Sequence, residues 1–274
     1  MMNADFFYET ITGRRLLNLL QRTGAFRIIS RTLRTGASRM LIPRYIRRNR
    51  IDMRPFEGQT YESFAAFFAR KKPYIHYETD PNTLISPCDG RLSLYPITSD
   101  LTIPMKGSVY TINDLIPNQK TSAQFAGGCC MVFRLEASDY HRFCFFDDGC
   151  LIETNYVPGQ LHSVQPIALH TVPVFRLNRR WWSVLETDHF GTVVQVEVGA
   201  MMVGGVSFTM DGGTFRRGEE MGNFELAGST IILLLGPPVH NHLVLRSALV
   251  STLESGKEVR VRTGMALGRL RYER

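Results

Sequence analysis

The stretch NFELAGSTIILLLG, residues 223–236, decides how the rest of the chain is read. Phe224, Leu226 and the run Ile231 to Leu235 are apolar, which reads as a buried strand. The step Gly228-Ser229-Thr230 interrupts it. Glycine inside such a pattern marks a turn, a bulge or a close backbone approach. Two hydroxyls directly after that glycine, ahead of the most apolar strand in the chain, ask for a chemical reason.

Working outward, the segments SPCDGRLSLYPI, CCMVFRL, HRFCFF and TVVQVEVGAMMVGGVSF have the same β-rich character. Asp-Gly, Gly-Gly and Pro-Gly turns separate them. No helices of ten to fifteen residues alternate with these runs, which argues against a Rossmann-type sheet. The first 50 residues differ in kind. They hold eleven arginines against Asp5 and Glu9, a local excess of nine positive charges, larger than the +7 of the whole chain. Leucine, isoleucine and phenylalanine recur between the arginines at spacings of three and four. That pattern predicts two or three short helices with breaks at Gly24, Gly36 and Pro43. A further helix is expected over TYESFAAFFARKKP (60–73), stopped by Pro73. Residues 252–274 are basic and loosely patterned.

The expected fold is α+β, with N-terminal amphipathic helices on a β-rich core of short antiparallel strands. Its expected divisions are a basic helical membrane-contact segment, 1–59, and a β-rich domain, 60–274. Composition supports a chain that buries a core: 44% hydrophobic and 21% charged over 274 residues. Five cysteines, an odd number without framework spacing or a C-x-x-C pair, argue against a secreted disulfide scaffold and a structural zinc site. No signal peptide and no apolar run of 18 residues is read, so the expected place is the cytoplasmic face of the cell membrane, held peripherally. No nucleic-acid motif accompanies the positive charge, so a nucleic-acid partner is not expected.

Four positions combine a turn with a chemically useful side chain: Asp89 in SPCDGRL, His141 in DYHRFCF, His162 in PGQLHSVQP and Ser229. An acid, a histidine and a serine are the parts of a charge-relay arrangement. Each also has an ordinary reading: Asp-Gly is a common turn pair, a histidine beside aromatics is commonly structural, and Gly-Ser-Thr is commonly a loop.

Seven motifs taken in order carry more. FFARKKP (67–73), SPCDGRL (86–92), MKGSVYTINDLI (105–116), DYHRF (139–143), GQLHSVQPIAL (159–169), VEVGAMMVGGV (196–206) and RRGEEMGNFELAGSTIILL (216–234) resemble the motifs of phosphatidylserine decarboxylases. The likeness is to the shorter bacterial form. It implies self-cleavage between Gly228 and Ser229, with Ser229 becoming a pyruvoyl group and the two resulting chains staying packed together. The chemistry is reasonable from below. A glycine carbonyl is the least hindered target for the Ser229 hydroxyl, and a carbonyl conjugated to an amide is an electron sink that no side chain supplies. The cofactor implied is therefore that pyruvoyl group, with neither PLP nor metal. The implied substrate is phosphatidylserine, the implied surface an anionic membrane, and a homodimer is a family expectation. By the same resemblance His141 contacts the substrate carboxylate or supplies a proton, and Asp89 orients the cleavage base.

The sequence departs from the family where Asp-Tyr-His-Arg-x-His is usual: the second histidine, normally the cleavage base, is here Cys144. Three candidates remain for that base. His162 stands where an apolar ring is common, and the turn at Pro158-Gly159 would set it on a strand neighbouring Cys144, with Asp89 orienting it. The Cys144 thiol itself and His141 are the others. Two rival readings also stand: a decarboxylase of a soluble amino acid, and an uncleaved, non-catalytic lipid-binding relative.

Overall fold

In the computed structural model, which describes residues 4–105, 108–201, 205–226 and 229–271, the run Ser229–Leu235 is a strand buried along its whole length. Gly228 lies outside the described residues. The strands in chain order begin with β1 (Thr83–Ile85), β2 (Gly90–Pro96), β3 (Thr102–Met105) and β4 (Ser108–Thr111). Next come β5 (Cys129–Leu135), β6 (Arg142–Cys144), β7 (Gly149–Val157), β8 (Arg180–Thr187) and β9 (Gly191–Val198). The last are β10 (Val206–Phe208), β11 (Gly213–Phe215), β12 (Glu220–Phe224), β13 (Ser229–Leu235), β14 (Leu243–Leu245), β15 (Val259–Val261) and β16 (Ala266–Leu270). An eight-stranded antiparallel sheet runs β11-β7-β8-β9-β13-β5-β2-β15, and a second sheet runs β10-β12-β6. The fold is α+β, as the sequence leads one to expect.

β13 is central because its sequence suits nowhere else. Five consecutive aliphatic residues leave no polar face for solvent, so both faces and both edges must be covered. Each such side chain contributes about 1.5–3 kcal/mol when removed from water. β13 pairs with β5 on one edge and β9 on the other. Ser229 stands opposite Leu135, and Ile231 opposite both Phe133 and Glu197. Paired residues share a face, so Ser229, Ile231 and Glu197 all point to one side of the sheet.

The N-terminal region forms α1 (Ala4–Glu9), α2 (Ile11–Arg22), α3 (Ala25–Leu33), a 3₁₀ turn (Gly36–Leu41) and α4 (Ile42–Asn49). Thr10 caps α2, its hydroxyl accepting from the Gly13 amide at 2.9 Å. α1 folds back so closely on α2 that a Cβ at Gly13 would lie 1.8 Å from the Phe6 carbonyl oxygen. Gly24 does break the helices, at φ 69°. Pro43 does not: it sits in the first turn of α4, where its missing N–H costs nothing. Phe7, Tyr8, Leu17 and Phe26 join the main core, so these helices are part of the body of the protein.

Two other expectations need correcting. The helix expected over 60–73 is only α5 (Phe64–Phe68), capped by Ser63. It stops early because the Ala69 and Arg70 carbonyls are taken by the Arg142 guanidinium at 2.9 and 3.2 Å. The loosely patterned stretch 252–274 begins in the end of a helix, Ser247–Glu254, and supplies β15, at the edge of the eight-stranded sheet, and β16, the middle strand between β1 and β14.

Candidate active site

Ser229 opens β13 and is fully buried, and among the described residues its hydroxyl has no hydrogen-bond partner. A buried polar atom left without a partner costs about 1–3 kcal/mol, so its persistence asks for a chemical account.

His141 precedes β6 and is also fully buried, its ring 4.0 Å from that of Phe68. Its Nδ1 lies 2.9 Å from the Asp139 carbonyl oxygen. A carbonyl only accepts, so Nδ1 carries the proton and Nε2 presents a lone pair. That Nε2 is buried and, among the described residues, without a partner. Burial, helped by the nearby Arg70 cation, pushes the His141 pKa down to about 3, so the ring is neutral at physiological pH. Arg70 itself is buried between the Phe56 and Phe67 rings. One of its nitrogens donates to the Asp139 carbonyl at 2.9 Å, while Nε and the other terminal nitrogen have no hydrogen-bond partner among the described residues. Two free donors on a fixed cation beside His141 suit a carboxylate.

Asp89 sits on the turn into β2. One carboxylate oxygen accepts from the Thr263 amide (2.9 Å) and hydroxyl (2.8 Å) and lies 3.4 Å from the Lys72 ammonium. The other accepts from the Tyr140 amide at 3.4 Å. Burial would raise its pKa, but Lys72 and the Thr263 donors outweigh burial and hold the carboxyl below its ordinary range. Lys72 also lies over the Tyr140 ring, 4.3 Å from its centroid.

Cys144 ends β6, opposite Glu220, with its amide donated to the Pro87 carbonyl at 2.9 Å. Its thiol is fully buried, and burial pushes its pKa up to about 12, against the pull of Lys72 and Arg217. A thiol so held is protonated and a poor base.

His162 is placed differently from the expectation. It lies in a loop, and the described strand beside β6 is β12. Its ring nitrogens are engaged by the Tyr8 hydroxyl (3.3 Å) and by Gln160 Oε1 (2.6 Å). Its amide is held by Asn178 Oδ1 at 2.8 Å. Among the described residues Asp89 bonds to Lys72, Tyr140 and Thr263 and does not orient His162. The reason is α1: Tyr8 of that helix docks on the 162–163 backbone, its hydroxyl accepting from the Ser163 amide at 2.7 Å, and draws the ring to itself.

The structure thus gathers Asp89, His141 and Cys144 around one buried region and ties His162 to the N-terminal helix. Sequence reasoning passed over Lys72, Arg70, Thr263 and Glu197. Lys72 and Arg70 stand within the quoted FFARKKP motif. Glu197 had its own signal, an ionisable residue inside the apolar run VVQVEVG.

A cavity of about 830 Å³ lies between the N-terminal helices and this region. Arg44, Arg48, Phe64, Phe68, Leu135 and Leu226 are among its walls. It reaches the site through Leu135, the register partner of Ser229, and through Phe68, the ring neighbour of His141.

The family model described as phosphatidylserine decarboxylase matches residues 61–269. The phosphatidylserine decarboxylase proenzyme 2 of Clostridium acetobutylicum is 36% identical over 267 residues, covering 96% of this chain and 90% of that protein. A phosphatidylserine decarboxylase proenzyme of Ruminiclostridium cellulolyticum is 34% identical over 281 residues, covering 95% and 93%. One from Clostridium novyi is 38% identical over 216 residues, covering 76% and 71%. The chain is an enzyme of the carboxy-lyase class. It belongs to the phosphatidylserine decarboxylase family.

Proposed function

We propose that the protein decarboxylates phosphatidylserine to phosphatidylethanolamine at the peripheral, cytoplasmic face of an anionic membrane, after cutting itself between Gly228 and Ser229. The observation that carries this reading is the buried, unpartnered Ser229 hydroxyl at the head of the central strand. A hydroxyl without competing hydrogen bonds is free to attack the adjoining Gly228 carbonyl carbon. Breaking the C–N bond gives an ester, and elimination frees the Gly228 carboxylate. Water then replaces the nitrogen, which leaves as ammonia, and residue 229 becomes a pyruvoyl group.

Ser229 fits that group: it is wholly buried, in a rigid strand that keeps out competing water. The pyruvoyl carbonyl supplies the electron sink for loss of carbon dioxide. The chain's own residues do the rest. Arg70 offers its free donors to the substrate carboxylate. His141, neutral, presents its Nε2 lone pair as a hydrogen-bond acceptor that positions the substrate amine. The cavity pairs the Arg44 and Arg48 cations with apolar walls, as a phosphate with acyl chains requires.

Membrane attachment is supported by the N-terminal surface. Ile11 and Ile28 are 65% and 62% exposed, and Leu19, Met40 and Leu41 are exposed as well, among the arginines of the same helices. An apolar face flanked by cations suits a lipid interface.

Intact-mass measurement of the purified protein tests the reading. Two associated chains, 1–228 and 229–274, the shorter carrying a pyruvoyl end, are expected. Ser229→Ala should leave one chain and no activity. A single intact wild-type chain that still binds lipid would favour the non-catalytic relative. Turnover of free serine in place of the phospholipid would favour the soluble-substrate one.

A further inference from the structure

Glu197 is wholly buried in β9, and the mechanism above does not use it. One carboxyl oxygen accepts from the Gln195 side-chain amide at 2.8 Å; the other has no partner among the described residues. The register sets Glu197 opposite Ile231 and diagonal to Ser229, on the same sheet face. Diagonal neighbours in an antiparallel pair have Cβ atoms about 7–8 Å apart or somewhat less, within reach of a long side chain. Two unpartnered polar atoms, Ser229 Oγ and Glu197 Oε2, therefore share a dry patch of one sheet face.

We propose that Glu197 is the proton acceptor for Ser229 in the first step of self-cleavage, an inference that rests on the self-cleavage reading above. As Ser229 Oγ bonds to the Gly228 carbonyl carbon, its proton passes to the Glu197 carboxylate. As the C–N bond breaks, the neutral carboxyl returns that proton to the Ser229 nitrogen. The result is an ester and a free amine, with no net gain or loss of protons.

The other buried groups are poorly matched to this task. The Cys144 thiol is held protonated, and neutral His141 binds a proton only weakly. Burial, opposed only in part by the Gln195 bond, raises the Glu197 pKa to about 8, near the value a base needs at neutral pH. Among the described residues the groups facing it are few. Gln195 lies on its own strand, β8 and β13 present Trp181 and Ile231, and the Cys88 thiol comes from the turn before β2. The Cys88 thiol is itself held protonated by burial. Asp139 is the other buried acid that titrates in this range, its pKa raised to about 6 by burial, but its two carboxylate oxygens are taken by the Glu136 amide and by Arg260.

The test follows the rate of chain cleavage, by gel and intact mass, in freshly folded wild type, Glu197→Gln and Glu197→Asp between pH 6 and 9. Wild-type cleavage should rise close to tenfold per pH unit and level off near 8. Glu197→Gln should cleave at least about 100-fold more slowly, with that rise abolished. Glu197→Asp should keep a pH-dependent rate, reduced in size. The wild-type profile needs no variant to fold, and a flat one overturns the inference. So does a Glu197→Gln chain that cleaves at the wild-type rate with the wild-type profile. An uncleaved wild-type chain instead overturns the self-cleavage reading, and this inference with it.

Discussion

Asp89 accepts two hydrogen bonds from one residue, the Thr263 amide at 2.9 Å and the Thr263 hydroxyl at 2.8 Å. The two residues lie on opposite sides of the proposed cut, so this buried contact ties the longer chain to the shorter. Hydrogen bonds to a charged group are worth about 1.5–3 kcal/mol. Thr263→Val keeps the amide donor and loses the hydroxyl. In an uncleavable Ser229→Ala background it should lower stability by about 1.5–3 kcal/mol, read by urea unfolding.

The same aspartate sets a sign for acid sensitivity. Its carboxyl is held below the ordinary value of 3.8 in the fold. That stabilisation is complete above the unfolded value and is lost as pH falls through the folded one. Asp89→Asn should therefore lose stability relative to the parent near neutrality and close the gap below pH 4, measured in the same background.

Glu197 carries the opposite sign. Its pKa rises from 4.5 to about 8 on folding, because the charged form is desolvated. The neutral form's contribution is complete below the unfolded value and is lost as pH rises through about 8. With Ser229→Ala preventing cleavage, Glu197→Gln should gain on its parent by a few kcal/mol between pH 5 and 9. Chemical unfolding at each pH gives the difference. No such gain would mean that the carboxyl is hydrated or paired in solution.

His141 and His162 should separate cleanly by substitution. His162→Ala removes a ring bonded to Tyr8 and Gln160, so it should still yield two chains while loosening α1, read as faster hydrogen exchange in residues 4–9. His141→Ala should yield two chains as well but lose at least about 100-fold in decarboxylation. Loss of cleavage in His162→Ala with normal cleavage in Glu197→Gln would return the base role to His162.

Deleting residues 1–50 should weaken sedimentation with anionic vesicles. Binding by the full chain should fall as salt rises, since exposed charges more than about 10 Å apart are screened at 0.1 M. Equal binding by the truncated chain, shown by circular dichroism to be folded, would put the membrane contact elsewhere.

What could be read in the sequence was whatever is periodic or aliphatic. The run Ile231 to Leu235 announced a central strand because it has no polar face to offer water. The Leu and Arg spacings announced the N-terminal helices. Pro43 misled because a proline at the first turn of a helix and one at a break look alike without the neighbouring hydrogen bonds. Asp89, His141 and Cys144 were found from their motif, and the structure sets them around one region. The destination of His162 was not legible, since it depends on Tyr8, 154 residues away, winning the ring through a tertiary contact. Thr263 was hidden for the same reason: its partner lies 174 residues earlier in the chain.

The position of β13 has a consequence for the life of the molecule. A strand paired on both edges, once severed from the segment before it, stays where it is because two neighbours hold it. Its memory of how to get there, however, was covalent. The uncut chain finds the slot between β5 and β9 by an intramolecular search. A denatured two-chain form must find it by collision, at a rate set by concentration. The proposed cut therefore makes folding a single-use event, and the lifetime of the mature enzyme is governed by how slowly the shorter chain, held through β13, β15 and β16, comes away.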